Sequence, residues 1–193
     1  MNIGLIILAA GYSKRMGENK ALLKFNDEYT FLDQLITQYY KAGIKSIKVI
    51  SQTQKLSLHK NISTYHGLQI HFVKNNQPEL GRSYSIMMGF NEYESFDFVF
   101  LQNIDNPFTS KELLKKMISH ANGNSILVPQ VEEKNSHPIL LPRKFISQAL
   151  IHPVKAFDFR DFFSSLPKQF IRWDARNIRA NINTPDDYSH WLE

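Results

Sequence analysis

The stretch that decides the fold covers residues 3–20 and reads IGLIILAAGYSKRMGENK. It opens with an apolar run from Ile3 to Leu8, which is typical of a strand that is buried on both faces of a sheet. Three small residues and three cations follow this run: Ala9, Ala10, Gly11, Lys14, Arg15 and Lys20. Small residues let a ligand approach the backbone, and successive N–H groups in such a turn can hold an anion. The stretch therefore predicts a buried strand that ends in an anion-binding loop.

This loop differs from the two most familiar phosphate-binding motifs. It does not end in the Gly-Lys-Ser/Thr of a Walker loop, and Ser13 and Met16 stand where the dinucleotide fingerprint has its second and third glycines. Arg15 can hold a phosphate through two parallel hydrogen bonds, and Lys20 adds a second positive charge. An ordinary turn with solvated cations is the alternative, but the complete string behind a buried strand favours anion binding.

Apolar and amphipathic stretches alternate along the rest of the chain. We expect strands over residues 3–8, 47–50, 68–73, 98–101, 126–128 and 139–141, with a hairpin around the polar loop 132–136. We expect Thr30 with Asp33 and Thr109 with Glu112 to cap two helices, a third helix to begin at Gly81, and two more to lie over 157–166 and 185–192. This alternation predicts an α/β fold with a mostly parallel sheet between two helical layers. Ligands bind at the carboxyl ends of such strands, so the loops after Leu8, Val73 and Leu101 should line the site.

Composition and charge exclude several classes of protein. The 193 residues include no Cys, which excludes disulfides, thiolate zinc sites and cysteine nucleophiles. The length fits one domain over residues 1–193. The first apolar run is far shorter than the roughly 20 residues of a membrane span, and cations follow it rather than precede it, so we expect a cytoplasmic protein without a membrane partner. The net charge of +5 would admit nucleic acid, but no recognised basic helix or stacking motif accompanies it.

The loop after the first strand also resembles the signature of a known family. In the MobA-like nucleotidyltransferases, L-A-A-G-x-S-x-R-M-G-x-x-K follows the first strand, and every fixed position is met from Leu8 to Lys20. The likeness is closest to the molybdenum cofactor cytidylyltransferases. The resemblance implies a three-layer Rossmann-like fold of the nucleotide-diphospho-sugar transferase type and a Mg²⁺ cofactor. It further implies an NTP substrate, with CTP favoured, and a phosphorylated small-molecule acceptor, in a monomer or homodimer.

The resemblance also assigns roles to individual residues. The backbone of Leu8, Ala9, Ala10 and Gly11 would contact the nucleotide. Arg15 and Lys20 would bind the triphosphate, and Lys20 would stabilise charge as pyrophosphate leaves. The segment 75–86 resembles the family's N-x5-G-x3-S pattern, whose members help hold the base and ribose: Asn75, Gly81 and Ser85. Taken alone this pattern is weak, since such residues are common at helix starts.

The end of the fourth predicted strand carries the candidate metal ligand. Asp105, in Ile104-Asp105-Asn106-Pro107, resembles the Asp of the family's Gly-Asp-x-Pro segment, which holds the catalytic Mg²⁺. The resemblance thus makes Arg15, Lys20 and Asp105 the catalytic candidates. An Asp that merely starts a turn before proline is the alternative. Ile104 stands where the family has Gly, so we expect it to narrow the space near the ligand.

The chain departs from the family pattern in its C-terminal motif. The family reads roughly D-I-D-T-P-E-D, and Asn181 and Asn183 replace both carboxylates before the Thr-Pro. Asn is a poorer partner for Mg²⁺, so Asn183 is only a second candidate ligand. Two alternatives stay open: a nucleotide-binding or regulatory protein with reduced catalysis, and a related sugar- or polyol-phosphate nucleotidyltransferase. Asp186 and Asp187 are expected in the first turn of the last helix.

Two further residues are candidates for the acceptor site. His137, in Ser136-His137-Pro138, resembles the G-H-P strand that lies near the acceptor in the family. Of the family's Gly-Asp-x-Gly-x-Arg segment only Arg160 is kept, among several phenylalanines. Each segment also has a simpler interpretation. A His beside Pro is often packed in the core, and the phenylalanines around Arg160 could belong to the core or to an oligomer contact.

Overall fold

The computed structural model describes residues 1–53, 56, 58–93 and 95–192, and these form eight strands and six α-helices. The strands are β1 (Ile3–Ala9), β2 (Ser46–Ser51), β3 (Gln69–Lys74), β4 (Phe98–Asn103), β5 (Ile126–Val131), β6 (Lys134–Asn135), β7 (Ile139–Pro142) and β8 (Lys168–Arg172). The helices are α1 (Phe31–Lys41), α2 (Gly81–Phe90), α3 (Lys111–Ser119), α4 (Arg143–Leu150), α5 (Phe159–Ser165) and α6 (Pro185–Leu192). None of the helices in these residues is long and apolar enough to cross a membrane.

All eight strands join one sheet, in the order β3-β2-β1-β4-β7-β5-β6, with β8 paired to β5. β1 runs parallel to both β2 and β4, and β2 runs parallel to β3. β7 is antiparallel to its neighbours β4 and β5, and β8 is parallel to β5. β1–β5 and β8 therefore point one way, which confirms the mostly parallel sheet and gathers their carboxyl ends at one edge.

The central strand β1 feeds two separate cores because its side chains alternate between the faces of the sheet. Leu5 and Ile7 are fully buried in one core, which α1, α3 and α6 cover. Ile6 and Leu8 point to the other core, which α2, α4 and α5 cover. Helices on both faces of the sheet thus explain why β1 is apolar throughout and does not alternate with polar residues. The predicted three-layer fold is confirmed.

The first residues of α1 and α3 differ in how well the local sequence predicts them. Thr30 and Asp33 form the expected capping box at α1, and Gly43 follows that helix with φ +95°. The prediction that Thr109 caps α3 is wrong, because Ser110 is the N-cap and its hydroxyl accepts from the backbone N–H of Leu113. The Thr109 hydroxyl instead donates to Gln102 Oε1 at 2.8 Å. Because Gln102 is buried in β4 and needs hydrogen-bond partners, it takes the hydroxyl that would otherwise cap the helix.

The part of the chain after β4 differs most from expectation. The hairpin is present, but it joins β5 to the two-residue strand β6 through Glu132 and Glu133, whose φ angles of +50° and +62° fit a type I′ turn. The sequence pattern did not predict α4 or β8. α5 begins at Phe159, two residues later than predicted, because Asp158 caps it by accepting from two backbone N–H groups. The last helix matches its predicted range.

Helix α2 lies unusually close to β1 at Gly89. A Cβ atom there would lie 2.7 Å from Cγ2 of Ile6. Overpacking of this kind costs about 1–3 kcal/mol, more than the roughly 1 kcal/mol that alanine gains over glycine in a helix. We expect Gly89→Ala to lower the free energy of unfolding in urea. Gly11→Ala is the matched control, because nothing lies within 4 Å of its added methyl group; equal stability of the two variants would contradict the close approach.

Candidate functional site

A cleft of about 250 Å³ opens at the carboxyl edge of the sheet. It is lined by the segments after β1, β3 and β4, as the sequence predicted: Leu8, Ala9, Ala10, Gly11, Ser13, Lys20, Pro78, Gly81, Arg82, Ser85, Asn103, Ile104 and Asp105. Ile104 is nearly buried and its backbone N–H donates to Leu8 O at 3.1 Å, so it closes the floor between β1 and β4.

The loop after β1 keeps several backbone donors for a ligand. Ser13 adopts φ +50°, and its carbonyl accepts from the N–H groups of Met16 and Gly17 at 3.0 Å each. Met16 is buried and anchors the turn in the core. The backbone N–H groups from Gly11 to Ser13 donate to no residue that the structure describes. The loop can therefore offer them to an anion, and the anion binding itself stays a prediction.

Lys20 is the centre of the predicted site. Its Nζ donates to Oδ1 of Asn183 at 2.7 Å and lies 3.9 Å from Oδ2 of Asp105, and only 12% of its side chain is exposed. The backbone N–H of Ile182 donates to Asp105 O at 2.8 Å, which brings the C-terminal motif beside β4. Burial lowers the pKa of Lys20, with Asp105 acting against that shift and Arg15 adding to it.

Asp105 presents an oxygen without a partner. Burial raises the pKa of this carboxyl above its ordinary value, although Lys20 and Arg82 act in the opposite direction. Its Oδ1 is buried and accepts no hydrogen bond from the described residues. An orphaned carboxylate oxygen of this kind suits a hard cation. No group of three or more His, Cys, Asp or Glu in the described part of the chain could hold a metal, so such a cation would also need ligand oxygens.

The two C-terminal amides have different surroundings. Asn183 Oδ1 already accepts from Lys20, so it offers little to a cation in this arrangement. Asn181 is exposed and its amide nitrogen lies 3.5 Å from the Arg179 carbonyl. Asp187 lies in the first turn of α6, as expected, and its carboxylate accepts from the N–H groups of Asn183 and Thr184 at 2.9 Å each. These hydrogen bonds lower the pKa of Asp187.

The three residues of the N-x5-G-x3-S pattern do not all line the cleft. Gly81, with φ +80°, and Ser85 line the cleft from the start of α2. Asn75 is buried behind them: its amide donates to Ser85 Oγ at 3.0 Å and its oxygen accepts from the N–H of Gln77 at 2.8 Å. Arg15 is exposed and lies outside the cleft lining, although its charge acts on Lys20.

Gln102, inside the apolar strand β4, is a structural residue that sequence reasoning missed. It is fully buried, and its oxygen accepts from the hydroxyls of Tyr39 at 3.0 Å and Thr109 at 2.8 Å. Its amide nitrogen donates to the carbonyls of Asn103 and Asn106 at 2.9 Å each. These bonds hold the turn that carries Asp105. The one signal in the sequence was a polar side chain within an apolar strand.

A second pocket of about 390 Å³ adjoins the cleft. It brings together the two acceptor candidates and several aromatic and polar groups: Arg82, Ser83, Val128, Asn135, Ser136, His137, Ile139, Asp158, Phe159, Arg160 and Phe163. His137 Nε2 lies 2.9 Å from Nδ2 of Asn103. Burial lowers the pKa of His137 to about 3, with Arg82 contributing, so the imidazole is neutral near pH 7.

One family model matches most of the chain. It is described as the MobA-like NTP transferase domain and covers residues 5–166, which include the cleft residues from Leu8 to Asp105. No curated protein matches the chain.

Several solved structures share the fold at low sequence identity. The homologue of Mycobacterium tuberculosis Rv0371c from Mycobacterium sp. strain JC1 has a TM-score of 0.76 and 22% identity, over 98% of this chain and 94% of that one. A nucleotidyl transferase from Methanothermobacter has a TM-score of 0.74 and 16% identity, over 99% and 96%. The 2-C-methyl-D-erythritol 4-phosphate cytidylyltransferase of Thermus thermophilus has a TM-score of 0.72 and 17% identity, over 100% and 98%.

Proposed function

The chain belongs to the MobA-like NTP transferase family, and we propose that it transfers a nucleotidyl group from an NTP to a phosphorylated small molecule. The observation that carries this proposal is the cleft itself, in which a loop with free backbone N–H groups faces Lys20 and Asp105. Anion donors, a largely buried ammonium and a carboxylate with one unpartnered oxygen are what a metal-bound triphosphate requires.

The proposed reaction balances without a proton transfer. A charged phosphate oxygen of the acceptor attacks the α-phosphorus of the NTP and forms a new P–O bond. The bond from the α-phosphorus to the oxygen that bridges it to the β-phosphate breaks, and that oxygen keeps the electron pair as pyrophosphate leaves. Because charge only shifts between phosphate oxygens, positioning and charge neutralisation carry the catalysis.

The residues at the floor of the cleft would act on the triphosphate. The N–H groups from Gly11 to Ser13 would hold its oxygens, and Lys20 would neutralise the charge that grows on the leaving pyrophosphate. Arg15, at the exposed rim, would add charge at longer range. Asp105 would hold Mg²⁺ together with phosphate oxygens, and the bound ion would supply further neutralisation of phosphate charge.

The remaining residues would hold the rest of the nucleotide. Gly81 leaves open space beside the start of α2, which would admit the base and ribose. Ser85 would contact them, and Asn75 would act through Ser85 rather than directly, since its side chain is already committed to Ser85 and Gln77.

The finer assignment is cytidylyl transfer in molybdenum cofactor biosynthesis, and it rests on the resemblance of the loop from Leu8 to Lys20. Sugar- or polyol-phosphate acceptors are the competing substrates. The test is to measure binding of CTP, GTP, ATP and UTP with Mg²⁺ by calorimetry, and then to follow pyrophosphate release with candidate acceptors. We expect CTP to bind most tightly. Binding of no NTP with any divalent metal would overturn the function, and preference for another base would overturn only the finer assignment.

A nucleotide-binding or regulatory protein with reduced catalysis is the second candidate. Asn183 favours it, because an amide holds Lys20 where the family has a carboxylate. In that case the protein binds NTP without turnover, and Asn181→Asp with Asn183→Asp restores Mg²⁺-dependent release of pyrophosphate. Turnover by the unaltered chain would contradict this candidate.

A further inference from the structure

Arg82 is the one described residue that lines both pockets. It lies in the first turn of α2, directly after Gly81. The next residue, Ser83, accepts a hydrogen bond from the backbone N–H of Phe159 at 3.0 Å and so ties α5 to α2 at this boundary. The guanidinium therefore lies between the cleft proposed for the nucleotide and the pocket that His137 and Arg160 line.

Most hydrogen-bonding groups of this guanidinium are available. Nη2 donates to Asn103 Oδ1 at 3.2 Å, and Cζ lies 5.4 Å from the centre of the Phe159 ring. No carboxylate in the described residues lies within 4.0 Å of it, and Asp105 acts on it only at longer range. Arg82 thus makes no direct ion pair with the described residues and keeps several free N–H groups in a mixed polar and aromatic wall.

Asn103 continues this wall into the second pocket. Because its oxygen accepts from Arg82, its amide nitrogen faces Nε2 of His137, which must then be the accepting nitrogen of the neutral ring. The proton of His137 therefore sits on Nδ1, which is buried and has no partner among the described residues. Arg82, Asn103 and His137 form one hydrogen-bonded row from the cleft to the pocket.

We propose that Arg82 binds the phosphate of the acceptor and holds it against the α-phosphate of the nucleotide. In-line attack brings two anionic phosphates to within about 3–3.5 Å of reacting contact, and a cation between them offsets their repulsion. Lys20 lines only the cleft and Arg160 lines only the second pocket, so Arg82 is the cation among the described residues that reaches both phosphates. The proposal rests on the proposed function and adds the residue that selects a phosphorylated acceptor.

The test measures acceptor binding separately from nucleotide binding. The protein is saturated with the α,β-methylene analogue of its best NTP, and phenyl phosphate is titrated as the acceptor probe, since Phe159 and Phe163 line the pocket. We expect Arg82→Met to weaken phenyl phosphate about 10- to 100-fold, as loss of a charge-assisted bidentate contact predicts, and Arg82→Lys to weaken it less. Affinity for the analogue should fall by a smaller factor than affinity for phenyl phosphate in both variants, because Lys20 and the loop after β1 also line the cleft and would still hold the triphosphate.

The control is Arg143→Met, which removes an exposed ion pair with Asp97 at the opposite edge of the sheet. It should leave both affinities unchanged, and thermal unfolding should show that all variants are folded. Unchanged phenyl phosphate affinity in Arg82→Met, equal losses for the analogue and the probe, or no probe binding by the unaltered protein would each overturn the proposal. Failure of the unaltered protein to bind any nucleotide would overturn the proposed function instead.

Discussion

Lys20→Met is expected to lower the rate of pyrophosphate release by about 10²–10³-fold, the usual loss when a preorganised charge stabiliser is removed. Met keeps the length of the buried chain but cannot donate to Asn183 or face Asp105. The pKa of Lys20 is lowered by burial, so the ammonium form is lost as pH rises through that lowered value. The alkaline limb of the kcat/KM profile, which reports the protein without bound nucleotide, should thus lie below the ordinary lysine range in the unaltered protein and vanish in the variant.

The matched control is Lys24→Met, because Lys24 is an exposed lysine of the same segment that does not line the cleft. It should turn over at the rate of the unaltered protein. If Lys20→Met kept more than about a tenth of the rate of pyrophosphate release of the unaltered protein, the catalytic role of Lys20 would be contradicted.

Asp105→Asn is expected to abolish the dependence of turnover on Mg²⁺ and to lower the rate by about 10²–10³-fold, since metal neutralisation of phosphate charge is worth several kcal/mol. The same change should raise the melting temperature. Burial raises the pKa of Asp105, so the ionised carboxylate destabilises the fold at any pH above that raised value. An amide of the same shape removes that charge.

The gain in melting temperature expected for Asp105→Asn should depend on pH. Below the ordinary pKa of Asp both the folded and the unfolded chain are protonated at this position, and the advantage of the variant disappears. The difference in melting temperature should therefore grow as pH rises from the ordinary pKa to the raised one. Asp27→Asn, at an exposed position outside the cleft, should change neither rate nor stability. A loss of stability in Asp105→Asn at pH 7 would contradict our account of the unpartnered oxygen.

The fold was largely predictable because its strongest signals are local. The apolar run of β1, the capping box at Thr30 and the glycine after α1 each act within a few residues. α4 was missed because it starts directly after β7 at Pro142, without a capping side chain. β8 was missed because it is short and only one of its residues, Ile171, is buried.

The sequence named several residues that lie together in the candidate site, but it did not predict how they contact one another. The sequence named Lys20, Asp105 and Asn183, but not that the amide holds the lysine, since that contact joins residues 163 positions apart. Arg82 carried no signal in a single chain, because its importance comes only from the two pockets that meet there. Thr109 shows the same limit, because its hydroxyl donates to Gln102 in β4 instead of capping α3.

The division of the chain between the two pockets has an evolutionary consequence. The residues that line the cleft all precede Asn106, whereas those that line the adjoining pocket, apart from the first turn of α2, lie within residues 128–163. A single recombination between two relatives in the loop after β4 would exchange most of one pocket and keep the other. An architecture arranged in this way would let a lineage change the molecule that the second pocket binds while the lining of the cleft stays the same.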